Sequence, residues 1–295
     1  MGLALVTLAG LLWAVTGGLI GRSARANNQG VAVLALASLV ATVSAALCMP
    51  KFKLLASGAP GGWPLLALTM GAAGAIGAYG TLLLQAAMRG GQQAVMWAIA
   101  QSALIVPFLA GVFFWGDIAP LHRAGGVAAV LLGMAFLGFA KHGDDASGQI
   151  QPHRAAFGLA LIAFVCLGAS QTLASSQGHW CDRADPGNLR VVFFSLGATL
   201  GYMLSPEIRN RNFEKSILLP AIALGANTAL SQAVFFAGLD RLKAAGMGCI
   251  GYPLAVGTCI FGFALYSRVF LREKTNLIQS LGLLAGIAGI VLVAL

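Results

Sequence analysis

Ten long stretches of this chain contain no Lys, Arg, Asp or Glu, and that pattern constrains the fold more than any motif. The charge-free runs are 1–21, 26–50, 54–88, 90–116, 124–140, 155–181, 191–206, 216–239, 244–267 and 275–295. A helix needs roughly 17–25 apolar residues to cross the hydrocarbon of a bilayer. Nine runs meet the lower bound, and 191–206 falls one residue short. Charged residues make up 9% of the chain, against about a quarter in soluble domains. A water-facing globule of this composition would have far too much apolar surface to hide. Inside lipid every backbone N–H and C=O needs an internal partner, which leaves helices or closed barrels. Barrel strands alternate polar and apolar residues, whereas 131–140 and 281–295 are apolar on every face. The expected fold is an all-α integral membrane protein with ten transmembrane helices.

The net charge of +9 comes from 18 cations scattered in ones, twos and threes beside the ends of the runs. That is the pattern of interfacial flanks, not of a nucleic-acid-binding patch, so no nucleic-acid partner is expected. Of five cysteines, Cys48, Cys166, Cys249 and Cys259 fall inside expected helices and Cys181 falls in a loop. Neither a CxxC nor a Cys/His cluster is present, so no metal or other cofactor is expected. The first 21 residues lack a basic leading segment and read as the first helix, not as a cleaved signal.

The most polar stretch, residues 141–154, reads KHGDDASGQIQPHR and leaves five runs on either side. Three units are expected: a first five-helix repeat at 1–140, a connecting loop at 141–154 and a second repeat at 155–295. The ends of the two halves match at an offset of 156 residues, which pairs Leu121 with Leu277, Gly126 with Gly282 and Gly133 with Gly289. Upstream, an offset of 151 pairs Gln101-Ser102 with Tyr252-Pro253. Five crossings per half would invert the second repeat relative to the first, the design in which secondary transporters hold substrate near the midplane.

Polar groups inside membrane helices are costly and face the protein interior. Gln93, Trp97 and Gln101 are spaced by four and share one helical face. With Tyr252 opposite, they form the expected substrate site, and Asn227 and Gln232 are second-rank candidates for it. Trp13 and Tyr79 are further candidates. Amides and an indole offer donors, acceptors and a stacking surface suited to a neutral, ring-shaped polar solute such as a sugar. The competing role for each is interhelical hydrogen bonding or packing. Gly71, Gly74, Gly77 and Gly80 recur every three residues, and Gly282 with Gly286 forms GxxxG; both read as surfaces of close helix approach. Pro107 and Pro253 are expected to kink or loosen the fourth and ninth helices. No acid or histidine lies in the middle of a run, which argues against a buried carboxylate exchanging protons for organic cations. Asp117 and Glu273 read as caps or ion pairs at helix ends. A membrane enzyme would have to use His179, Cys181, Asp182 and Asp185, which form no nucleophile arrangement, so no catalytic residue is expected.

Trp13, the segment from Tyr79 to Asp117, the acids Asp117 and Glu273 before the last hairpin of each half, and the glycine-bearing fifth and tenth helices resemble the drug/metabolite transporter superfamily. The likeness is to its ten-helix, EamA-like form. The segment LLLQAAMRGGQQAVMWAIAQSALIVPFLAGVFFWGD, the LREKT at 271–275 and the Gln29-Gly30 pair are similar in style to the bacterial sugar-uptake branch. One departure is Asp117, where many members carry glutamate. The resemblance implies a non-enzymatic carrier in the plasma (inner) membrane, crossing it many times and moving a small solute by alternating access. Export of amino acids or other metabolites and drugs is the alternative. The implied partners are the solute, the lipid bilayer and, for assembly, a second copy of the chain as a homodimer.

Overall fold

The computed structural model describes residues 1–25, 29–48, 63–90, 93–114, 120–139, 151–180, 188–209, 215–244, 251–272 and 277–295. Among these residues every regular element is helical. Each charge-free run holds one principal segment. These are α1 (Gly2–Arg25), α2 (Gly30–Leu47), α3 (Trp63–Gly90), α4 (93–114), α5 (Leu121–Phe139), α6 (Gln151–Trp180), α7 (Asn188–Met203), α8 (Leu218–Ala244), α9 (251–271) and α10 (Leu277–Ala294). A single turn, Pro206–Arg209, follows α7, and a 3-10 turn, Lys215–Ile217, leads into α8. Among the described residues, α1, α2, α3, α4, α6 and α8 are long and apolar enough to cross a membrane, and the apolar parts of α5, α7, α9 and α10 are shorter.

Two helices are irregular. In α4, Gln93–Gln101 and Ile105–Phe114 are joined by one 3-10 turn, Ser102–Leu104. Pro107 lacks the N–H that would bond to the carbonyl of Ala103, and the backbone tightens at that place. The expected loosening by Pro253 is absent. It occupies the first turn of α9, which begins at Gly251, where a missing N–H disturbs no intrahelical bond. The irregularity of α9 lies at its other end, where Ser267–Leu271 form a π turn. The expected connecting loop is also shortened, because α6 already begins at Gln151. Residues 141–150, Gln92, Asp117, Glu273, Cys181, Cys249, Asp182 and Asp185 lie outside the described residues.

Many alanines are buried inside the bundle beside larger side chains such as Phe235, Phe263 and Met70, while many bulky apolar residues face outward. Ala9, Ala41, Ala73, Ala87, Ala100, Ala163 and Ala221 have no exposure, whereas Leu68, Leu132, Val165, Leu219, Phe261 and Leu284 are exposed. The buried small residues let backbones come close together where dispersion and polar contacts hold helices in lipid. Several hydroxyls inside the helices bond to their own preceding turn: Thr81 Oγ1 donates to the Gly77 carbonyl and Thr258 Oγ1 to that of Leu254, both at 2.8 Å. These donors are therefore satisfied locally.

The principal packing contacts come in matched sets. Helix α3 lies on α6 and α7, while α8 lies on α1 and α2; α4 packs on α6, while α9 packs on α1; α2 meets α7 and α5 meets α10. Glycines set the closest crossings. A Cβ at Gly74 would stand 2.8 Å from the Ala198 nitrogen of α7, and one at Gly77 would stand 2.8 Å from Ser170 Oγ of α6. The row on α3 thus seats two helices at once.

Candidate functional site

The helix ends gather into two interior clusters. In the first, the ends of α1 and α3 meet the starts of α2 and α4. Gln85 Nε2 donates to Ser23 Oγ at 2.8 Å, and its amide lies where a Gly30 Cβ would come within 2.8 Å of Cδ. Gln93, fully buried, donates from Nε2 to the Gly21 carbonyl at 2.9 Å. A side chain at Gly21 would strike the Gln93 amide, so glycine there makes room for the amide. One turn on, Trp97 is buried, and its Nε1 donates to Cys259 Sγ at 3.3 Å. Its ring meets Phe263 at 5.3 Å, and Gly17 leaves room for both. The aromatic contacts continue from Phe263 to Tyr266 at 5.9 Å and from Tyr266 to Phe270 at 5.3 Å, both stacked. This ladder runs along α9 from the buried Phe263 into the π turn, where Phe270 is exposed.

The second cluster lies at the opposite end, where the starts of α1, α3, α7 and α9 meet the ends of α2 and α8. Phe235 of α8 is its hub. Trp13 packs on it at 4.9 Å, Phe236 at 5.7 Å and Tyr252 edge-on at 4.7 Å. The guanidinium carbon of Arg190 sits 4.8 Å from the Phe236 ring centre. Arg190 is only 9% exposed. Trp13 Nε1 is buried and makes no hydrogen bond to a described residue.

The expected site residues are distributed over these places. Gln93 and Trp97 share a face as expected, with α1 and α9 closed around them. Gln101, half-buried, ends the first segment of α4. Tyr252 does not stand across from Trp97. It is packed on Phe235, about 10 Å along α9 from Cys259 at a rise of 1.5 Å per residue. Asn227 donates from Nδ2 to the Leu12 carbonyl and to Thr16 Oγ1, both at 2.8 Å, joining α8 to α1. Gln232 is half-buried on the same helix. Tyr79 is 57% exposed on the outer side of α3, apart from both clusters. Beside α4 a void of about 10 Å³ is lined by Ala98, Ser102, Gly133 and Ile260 among others, room for one water.

Sequence reasoning missed Arg190, Phe235, Cys259 and Phe263. The last three are apolar residues in apolar runs and carried no signal. Arg190 immediately precedes the run 191–206, the shortest of the ten, and the 16-residue helix is shifted three residues towards the N-terminus of that run. The helix begins at Asn188, which draws Arg190 inside the bundle.

No family model matches the chain, and no curated protein matches it either. Among solved structures 19 chains match. One, described only as "Crystal structure of protein", is 17% identical, with a TM-score of 0.62 over 98% of this chain and 95% of that one. At that identity the likeness concerns the fold alone.

Proposed function

We propose that this chain is an integral membrane carrier of ten transmembrane helices, arranged as two inverted five-helix repeats, that moves a small polar organic solute by alternating access. The observation that carries the reading is reciprocity. Where a Cβ at Gly133 of α5 would stand 2.7 Å from the Gly282 carbonyl of α10, one at Gly289 of α10 would stand 2.6 Å from the Gly126 carbonyl of α5. Each residue of the first contact lies 156 positions from its counterpart in the second. A second pair behaves alike. Gly168 of α6 approaches Ala103 and Val106 of α4, and Gly10 of α1 approaches Ala255 and Thr258 of α9. A two-fold relation between halves produces such exchanges, and the matched helix pairs obey the same rule. Carriers of this design place their solute between the repeats and rock one against the other. The four shorter apolar helices are read as spans because each has a longer counterpart in the other half or lies inside the same bundle.

The solute class rests on the polar groups of the interior. Gln93, Trp97 and Gln101 favour a neutral polar solute such as a sugar. In this reading the closed packing of Gln93 and Trp97 belongs to one state of the access cycle. The second reading is an exporter of amino acids or other metabolites and drugs. Neither reading calls for an enzyme, and the expected location is the plasma (inner) membrane. The test is counterflow of radiolabelled sugars and amino acids into liposomes holding the purified chain. Exchange of at least one class is expected; folded protein that exchanges neither overturns the carrier reading.

A further inference from the structure

We propose that Gln93 and Trp97 of α4, seated in glycine notches of α1, form a releasable seam that is shut in this structure and whose parting admits water to Cys259. The proposal rests on the carrier reading, to which it adds the surface along which one end opens. The helix pairs on either side of the seam are held backbone to backbone. A Cβ at Gly10 would strike the Ala255 carbonyl, which ties α1 to α9, and one at Gly168 would stand 3.2 Å from the Ala103 carbonyl, which ties α4 to α6. Backbone has no rotamer with which to let go. Across the seam, α4 meets α1 through the ends of side chains. The Gln93 amide occupies the space a Gly21 side chain would take and donates to the Gly21 carbonyl at 2.9 Å. The Trp97 indole lies 2.9 Å from the place of a Gly17 Cβ and donates to Cys259 Sγ at 3.3 Å. A thiol is a weak acceptor, so water replaces that partner readily. Packing is also incomplete at the seam. Ala98 and Ser102 of α4 and Ile260 of α9 border the void of about 10 Å³, and atoms lining a void forgo dispersion contacts. Parting α4 from α1 and α9 breaks these two hydrogen bonds and the Trp97–Phe263 ring contact, and it leaves both backbone-tied pairs intact. Cys259, with no exposure in the shut form, stands behind the indole and is uncovered by that step.

The rival is that the same contacts are permanent packing, so that Cys259 is reached only when the whole bundle unfolds. The two are separated by thiol labelling of the full chain in phosphatidylcholine nanodiscs, with Cys48, Cys166, Cys181 and Cys249 replaced by alanine. A charged, water-soluble methanethiosulfonate is the probe, and intact mass gives the rate at Cys259. Slow labelling well below the melting temperature is expected, the mark of local opening. Gln93→Ala removes a bond one turn away from Trp97 and should raise the rate roughly tenfold or more, the scale of one buried hydrogen bond. Gly74→Ala strains the crossing of α3 with α7, which involves none of α1, α4 and α9. It should lower the melting temperature and leave the rate within about twofold, as distant sites act independently. If Gln93→Ala does not fold, Gln93→Asn, one methylene too short for Gly21, carries the test. The proposal is overturned if Cys259 is labelled only near the melting temperature, if the folded Gln93 variants leave the rate unchanged, or if Gly74→Ala raises it equally. Labelling needs no solute, so the outcomes separate from those of counterflow. Labelling as expected without any counterflow overturns the carrier and keeps the seam; counterflow without labelling removes the seam and leaves the carrier standing.

Discussion

Gln93 and Gln101 lie on one face of α4 and differ sharply in surroundings, which makes them the informative pair among single residues. The Gln93 amide is fully buried and bonded to the Gly21 carbonyl. Gln93→Ala removes that bond inside an apolar interior, at a cost of about 1–3 kcal/mol. Its melting temperature should fall by several degrees in a detergent-solubilised unfolding assay. Gln101 is half-buried, and no hydrogen bond to a described residue accompanies it. Under the carrier reading Gln101→Ala leaves the melting temperature in place and weakens apparent solute affinity roughly two- to tenfold, the worth of one neutral hydrogen bond. A stability loss with unchanged affinity would instead make Gln101 a packing residue. Gly21 and Gln93 form a complementary pair. Gly21→Ala should destabilise the protein with Gln93 present and do so much less in the Gln93→Ala background, a coupling readable in a double-mutant cycle.

At the level of elements, glycine marks where two helices touch, and it does so selectively within one helix. On α5, a Cβ at Gly133 would press on the backbone of Gly282 and Gly286, whereas one at Gly125 meets nothing within 4 Å. Backbone cannot swing aside as a flexible side chain can. Gly133→Ala should therefore part α5 from α10 and cost about 1–3 kcal/mol, while Gly125→Ala should be neutral or stabilising by up to about 1 kcal/mol through helix propensity. Comparing the two melting temperatures checks the claim; equal effects would refute the tight crossing. The expected packing role of the Gly71–Gly80 row matches the observed contacts of Gly74 and Gly77, because a small-residue row shows directly in sequence. Which helices it would seat did not show there. The break in α4 at Ser102–Leu104 was foreshadowed by Pro107, but the π turn of α9 has no proline or glycine within it and left no trace to read.

For the molecule as a whole, the inverted arrangement makes a sidedness prediction. A cysteine placed at Ser147, which lies outside the described residues, should be labelled by an impermeant reagent from the side opposite to either terminus. Labelling from the same side would exclude five crossings per half. What the sequence determined by itself is the class of structure: the lengths of the charge-free runs specify apolar helices, because backbone hydrogen bonding in an apolar medium allows little else. Periodicity of four also determined that Gln93 and Trp97 share a face, since that is a property of one helix. The tertiary structure alone decided which faces meet. It separated Tyr252 from Trp97, turned Tyr79 outward, used Asn227 to join α8 to α1, and drew Arg190 into an aromatic cluster. Those outcomes depend on contacts between helices far apart in the chain, and in an apolar bundle such contacts are set by shape and close packing, which no single helix encodes.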